Sequence, residues 1–441
     1  MFNNILNTAQ NKLNILYKNS LLLQNLDKLI FMSIILIYIL STWMPSDAIG
    51  FLAVIIIILT IIQAFVKPDD KFTPNKFELW LLAYFMIVII SLAGSTLFSL
   101  SFKGFMKTFT YLGFYVSVVH YLKSNRHHIP HILMAIGLCI SFESIIGFMQ
   151  NFSHVSEIST WQDVSNLNPE QIMTRVYGTL KPLNPNLLGG YFVAGIPALF
   201  GITALSAIDK KIKQTLLFLI LSAMSVISLF LTGCRGAYIG CFILFIGLFT
   251  ICAKFLWGKY KTLFISIITA IIAFGTTAFL FCASLRTRIG SIFAMRQDSS
   301  NSFRFNVYQS SIQMFKDNWL LGIGVGNKNF REIYGLYMRT GFDALSSYNI
   351  FLETAVESGI FALIAFIGYI VIMLKRGINF ILKSNNNKDI ILVSTAVLSI
   401  TAMMFHGLVD TVFFRPQIQF IFWTMAAIIS TIAGYKEISE S

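Results

Sequence analysis

The sequence predicts an all-α polytopic membrane protein of about 12 transmembrane helices, with a large outward-facing loop capping the outer face. Three observations carry this reading. Of all residues, 56% are hydrophobic and 12% charged, and apolar runs of roughly 20 residues recur along nearly the whole chain, long enough to cross a hydrocarbon core. When the loops between these runs are given alternate sides, about 17 of the 22 lysines fall on one side, the signature of short cytoplasmic loops. About nine of the 11 arginines fall on the other: Arg175, Arg235, Arg286, Arg288, Arg296, Arg304, Arg331, Arg339 and Arg415. A guanidinium binds phosphate bidentately and keeps its charge. Arginine gathered on the far side therefore points to an outward-facing site for a phosphate-bearing, membrane-held substrate.

The elements follow in order. Residues 1–28 show no short apolar core ending at a cleavage site. Phe2, Leu6, Ala9, Leu13 and Leu16 recur at helical spacing beside Lys12 and Lys18, as in a cytoplasmic amphipathic segment lying on the membrane. Nine spans are predicted within 29–282, near 29–44, 48–66, 78–96, 107–122, 130–149, 187–207, 214–232, 236–253 and 262–282. Three more follow within 359–434, near 359–374, 390–409 and 416–434. Lys-bearing loops at 67–77, 123–129, 209–213, 254–261 and 375–389 put both termini, including the tail 435–441, in the cytoplasm. Loops 150–186 and 283–358 face outward. The second, of about 75 residues, is too long for a simple connection. It is rich in aromatics and glycines rather than low in complexity, so it reads as an ordered cap. Phe303, Tyr308, Ile312 and Phe315 mark an amphipathic helix within it. The net charge of +13 sits in short loops beside spans, which argues against a nucleic-acid partner. The five cysteines show neither metal spacing nor a disulfide framework.

Several segments are candidates for chemistry. In Leu231-Thr232-Gly233-Cys234-Arg235-Gly236, an arginine near hydrocarbon is costly unless paired or wet, and the glycines permit close approach. The sharp turn favours function over an arginine reaching for headgroups, the reading given to Arg286, Arg288 and Arg296. In Gly178 to Asn186, Lys181, Asn184 and Asn186 lead into a helix start whose free N–H groups suit an anion; simple turn and cap chemistry is the equal alternative. Gly322-Ile323-Gly324-Val325-Gly326 lacks a preceding strand and reads as a tight turn, not a dinucleotide loop. Tyr348, Asn349 and Glu353 open the tenth span, either facing the outer site or serving as an interfacial tyrosine and a cap. His406 and Asp410, four apart, are placed on one helical face near the outer end of span eleven, with Arg415 a turn later. They are a functional pair or a pin between helices. Glu143 is a buried acid with no legible partner. His127, His128 and His131 read as a charged loop beside Arg126, with no carboxylate or cysteine to complete a metal site.

These segments resemble the O-antigen ligase and polymerase superfamily of bacterial membrane proteins. The resemblance covers about 175–430. It rests on the GTL…NPN…GGY stretch from Gly178 to Tyr191, the TG-x-RG turn at Arg235, Phe303-Arg304, the run Met314 to Gly326, and YNxxLExxxExG from Tyr348 to Gly359. The resemblance implies about a dozen helices in the bacterial cytoplasmic membrane, a large outer loop, and neither cofactor nor metal. It implies glycosyl transfer at the outer leaflet from a polyprenyl-diphosphate-linked glycan donor to a hydroxyl of a glycolipid or glycan acceptor. Arg235 and Arg304 match the family's functional arginines. Asn184, Asn186, Lys181, Asn349, Glu353, Asp410 and Arg415 are the expected substrate contacts. Ligases of the family carry His where this chain has Tyr348, and a phenol with a pKa near 10 is a poor base. His406, Glu353 and Asp410 are then candidates to activate the acceptor. A polymerase would need the same donor site. The tail from His406 to Gln417 resembles a branch labelled as inorganic-carbon transporters. A small-anion transporter would use Glu143, His406 and Asp410 as coupling groups, but polar residues at one face only, without paired interrupted spans, favour the enzyme.

Overall fold

The computed structural model describes residues 20–66, 74–153, 175–258, 260–294 and 298–434. The expected surface helix up to residue 19, most of the 150–186 loop, Arg296 and the tail from 435 lie outside these residues. The bundle consists of α1 (Leu26–Ser41), α2 (Ser46–Val66), α3 (Lys76–Ala93), α4 (Phe98–Ser124), α5 (Ile129–Phe152), α6 (Pro185–Ile208), α7 (Ile212–Leu231), α8 (Arg235–Leu256) and α9 (Lys261–Phe281). Then come α10 (Ala283–Phe293), α11 (Ser299–Asp317) and α12 (Asn327–Tyr334), followed by α13 (Ile350–Lys383), α14 (Asn387–His406) and α15 (Pro416–Ile429). No strand occurs among the described residues.

The protein is an all-helical polytopic membrane protein. Ten described helices are long and apolar enough to span a bilayer. The two other predicted spans are also helical: α1 has only 16 residues, and α4 carries Lys103, Lys107 and Lys123. Both pack into the bundle, α1 against α2 and α5, α4 against α2 and α15. Burial sorts the helices. The stretch Pro416–Gly434 is wholly enclosed, whereas only 6% of α9 is buried, so α15 is the axis and α9 lies at the rim. One end of the core is tied by Glu78, which accepts from Asn75 N–H at 2.6 Å, Tyr115 Oη–H at 2.8 Å and Ser430 Oγ–H at 2.6 Å. That closes the cap of α3 and joins it to α4 and to the end of α15.

At the opposite end, α13 is interrupted. Gly359 adopts φ 80° and ψ 179°, and the helical ladder breaks there. Ile360 N–H, which would have served Val356, donates instead to Trp319 O at 2.9 Å. The released carbonyls of Val356 and Glu357 accept from Ile323 and Gly324 N–H, both at 2.9 Å. The glycine-rich run is thus a turn stitched to a broken helix, and these three freed backbone groups find partners across the break. The helix that becomes the tenth span starts at Ile350, within the Tyr348–Glu353 segment expected to open it, and its residues before Gly359 belong to the cap. The helix expected around 303–315 is α11; Phe303 and Phe315 of its expected face pack against the core of the cap, but Ile312 does not. Val307, Ser310, Ser311 and Met314 are buried while Ile312 is exposed. The reason is that the cap has its own apolar core, in which Val307 and Met314 meet Ile323, Phe330, Tyr334 and Val356.

A second correction concerns His406 and Asp410. Helix α14 stops at His406, capped by Gly407, and Leu408 and Val409 turn back with N–H bonds to Phe405 and His406. Asp410 is therefore beyond the helix and does not share a helical face with His406. The turn brings the two side chains together instead.

At Gly359, a Cβ would strike the Leu320 backbone in a conformation that side chains avoid. Gly359→Ala should cost about 1–3 kcal/mol, read as a lowered melting temperature in detergent. Gly275→Ala in α9, where a Cβ meets open space, should leave it unchanged.

Candidate functional site

A cavity of about 500 Å³ opens at the end of the bundle where α6, α8 and α15 begin. Among the described residues, five arginines line it: Arg175, Arg235, Arg288, Arg304 and Arg415, with Lys107 of α4 beside them. Each arrives by a different local device. Arg235 is the first residue of α8, delivered by the turn after α7; it donates to Asp298 Oδ1 at 2.8 Å and to the carbonyl and hydroxyl of Ser291, each at 3.2 Å. Arg175 runs along the same turn, giving Nε–H to Thr232 O at 2.8 Å and Nη2–H to Asn186 Oδ1 at 2.5 Å. Asn184 caps α6 by accepting Asn186 N–H at 2.7 Å. Arg288, on α10, donates Nε–H to Gly233 O at 2.8 Å.

Arg175, Arg235 and Arg288 are all buried. Burial, then Arg175 and Arg235, pull the Arg288 guanidinium down to about 10. Burial likewise lowers Arg175. A guanidinium keeps its charge in proteins, so this corner of the cavity holds concentrated positive charge that one carboxylate, Asp298, offsets only in part. Such a wall favours a multivalent anion.

The second half of the site is Arg304, Tyr348 and Asp410. Arg304 Nη2 lies 3.5 Å from Asp410 Oδ2, and its Cζ sits 5.7 Å from the centre of the Tyr348 ring. Arg304 Nε and Asp410 Oδ2 are buried without hydrogen-bond partners. Tyr348 holds φ 55°, a left-handed conformation that is strained for a bulky side chain and typical of functional segments. Burial first, then Asp410, push its phenol above the ordinary value. A raised phenol is a poorer base, and the Tyr348 ring offers the Arg304 guanidinium a platform.

The expected site residues divide into two groups. Arg235, Arg304, Tyr348, Asn184, Asn186, Asp410 and Arg415 line the cavity. His406, Lys181, Asn349 and Glu353 do not. His406 is buried behind the wall, its Nε2 3.9 Å from Cys234 Sγ. Lys181 is exposed and contributes only its carbonyl, to Gln417 at 2.9 Å. Asn349 caps α13 by accepting from Phe351 and Leu352 N–H. Glu353 accepts Ser347 N–H at 2.5 Å, and Glu357 accepts Gly326 N–H at 2.8 Å. Glu143 has a partner after all, Thr179, which donates its N–H at 2.9 Å and its hydroxyl at 2.5 Å. The histidine cluster is aromatic packing: His128 stacks on Phe31 at 4.3 Å and meets Tyr121 Oη at 2.6 Å. Sequence reasoning missed Asp47, Lys107, Arg175 and Arg288 as cavity residues. Arginine sorting had flagged the last two, but Arg288 is in the wall rather than at the lipid interface.

Residues 218–367 match the family model described as O-antigen ligase. This match supports the O-antigen ligase and polymerase superfamily for the chain. No curated protein matches it. The matched stretch contains Arg235, Arg288, Arg304 and Tyr348, while Arg175, Asp410 and Arg415 lie outside it. The match suggests a glycosyl-transferring enzyme.

For a superfamily member with this geometry, Arg235→Lys, Arg288→Lys and Arg304→Lys should each lower activity about 100-fold, since lysine loses the fork and the Nε donor. Membrane accumulation should stay normal. Arg286→Lys, at an exposed guanidinium that donates to Leu280 O, should stay near wild type. Tyr348→Phe should retain most activity with an unshifted pH profile between about pH 6 and 9, below the ordinary phenol range, because the raised phenol does not ionise there. A profile displaced by loss of the hydroxyl would assign the tyrosine an acid–base role.

Proposed function

We propose that the protein transfers a glycan at the outer leaflet of the bacterial cytoplasmic membrane, from a polyprenyl-diphosphate carrier to a hydroxyl of lipid A–core or another surface glycan, as an O-antigen ligase. The observation that carries this reading is the arginine-lined cavity, at the end of the bundle that the lysine pattern assigns to the outside. A diphosphate matches clustered guanidiniums in charge and in fork geometry. Met106, Tyr111 and Phe414 give the cavity an apolar flank beside α2 and α4, suited to the start of a prenyl chain.

The chemistry is a displacement at the anomeric carbon. The acceptor hydroxyl forms the new C–O bond, the bond to the diphosphate oxygen breaks, and the electron pair passes to the diphosphate. Arg235, Arg288 and Arg304 stabilise the charge that grows there. The wall carboxylates are Asp47 and Asp410. Asp410 faces Arg304, which leaves Asp47, in the first turn of α2, to take the hydroxyl proton. A small-anion carrier would set its site near the bilayer midplane with paired broken helices, and a cavity at one end favours transfer instead.

Deleting the protein should abolish long chains on the lipid core in gel profiles of surface glycolipids while carrier-linked glycan accumulates. One-repeat products would indicate a polymerase, and unchanged glycans would overturn the reading. Sidedness has its own check. Cysteines placed at Ser299 and Ser384, in a background lacking the exposed Cys282, should react with an impermeant thiol reagent at Ser299 and not at Ser384.

A further inference from the structure

We propose that Cys234, His406 and Asp410 form a site for a zinc-like divalent transition-metal ion, with its open coordination position turned towards the cavity. One donor atom from each residue lies within 4.8 Å of the others. Cys234 Sγ and His406 Nε2 are 3.9 Å apart. All three side chains are buried. Thiolate, imidazole and carboxylate are the donors such an ion selects. With bonds of about 2.0–2.3 Å, tetrahedral donors stand about 3.3–3.8 Å apart, so the three need draw in by only about an ångström.

An independent observation is the orphaned oxygen of Asp410. Its Oδ1 accepts Val412 N–H at 3.1 Å. Its Oδ2 is buried and accepts no hydrogen bond, and Arg304 at 3.5 Å is too distant to supply one. A buried carboxylate oxygen left this way calls for a partner. The other two donors are held by backbone. A Cβ on Gly236 would come within 2.9 Å of His406 Nε2, and one on Gly190 within 3.0 Å of Cε1, so the imidazole is clamped between α6 and α8. Cys234 N–H donates to Thr232 Oγ1 at 3.2 Å, which fixes the cysteine in the turn.

Three protein ligands leave a fourth position. Asp410 lines the cavity, so that position takes a water or the oxygen of an anion bound there. Binding releases the thiol proton. The thiolate and carboxylate then neutralise the dication, and the cluster no longer offsets the neighbouring arginines. The site stands whether or not the cavity accepts a diphosphate.

The test uses the full chain without an affinity tag, purified in detergent, stripped with chelator, reloaded with Zn²⁺ or Co²⁺ and desalted. Metal analysis should find about one ion per chain, the stoichiometry of a single site with three protein ligands. The cobalt form should show a thiolate-to-cobalt charge-transfer band. Cys234→Ala should lose both ion and band. The combined His127→Ala, His128→Ala and His131→Ala variant should keep both, which excludes the other histidine cluster as the source. Failure of the wild type to retain metal, a cobalt form without the thiolate band, or equal retention by Cys234→Ala would overturn the site. The wild-type spectrum decides the matter even if the cysteine variant fails to fold.

Discussion

Burying several guanidiniums side by side is the constraint on which the polar end of this molecule depends. Like charges repel, and an arginine taken out of water loses solvation that must be replaced. The depressed Arg175 and Arg288 report both costs, with burial the larger. The replacement comes almost wholly from the Thr232-Gly233-Cys234-Arg235 turn and its surroundings. Thr232 O receives Arg175, Gly233 O receives Arg288, and Asp298 with Ser291 receives Arg235. One sharp turn between two spans thus collects three cations. Neutralisation stays incomplete, so the resting cavity is set up for an anion that completes it.

The cap depends on a different device. A helix entering the membrane straight from a loop would leave no backbone groups with which to hold that loop. Breaking α13 at Gly359 frees the carbonyls of Val356 and Glu357 for the glycine-rich turn and the N–H of Ile360 for Trp319 O just before it. Glu353 and Glu357 then tie Ser347 and Gly326 to the same helix start. Tyr348 is strained because it lies between these anchors, and Tyr308 donates to its carbonyl at 3.3 Å from α11. Cap, broken helix and Arg304 platform are therefore one mechanical unit.

Motif residues fall into those that line the cavity and those that hold its wall. Asn184, Asn186, Arg235 and Arg304 face the space. Asn349, Glu353, Glu357 and Gly359 build the support, and Glu143 does the same for the Gly178 segment through Thr179. Both classes carry charge or amide groups, and both cluster near helix starts. A polar residue beside a span therefore signals the site's neighbourhood without assigning its role.

Much of the architecture was legible in the chain itself. Hydrocarbon thickness dictates the length of an apolar run, so the helical spans could be located, and lysine placement gave each loop an expected side. Arginine sorting marked the end that bears the cavity, because a guanidinium away from the cytoplasm needs a ligand or a partner. Three things required the tertiary structure. The exact face of α11 was one, because the cap has a core of its own, in which the helix buries Val307 and Met314 beside Phe303 and Phe315 and leaves Ile312 outside. The His406 and Asp410 pairing was expected from helical pitch but arises from a turn at Gly407. Cys234 and His406, 172 positions apart, meet only because α6 offers Gly189 and Gly190 where α8 and the end of α14 converge. Local periodicity and composition are visible to a single chain read in order. Which side chains from different helices share a volume is decided by packing, and the site is made almost entirely of such encounters.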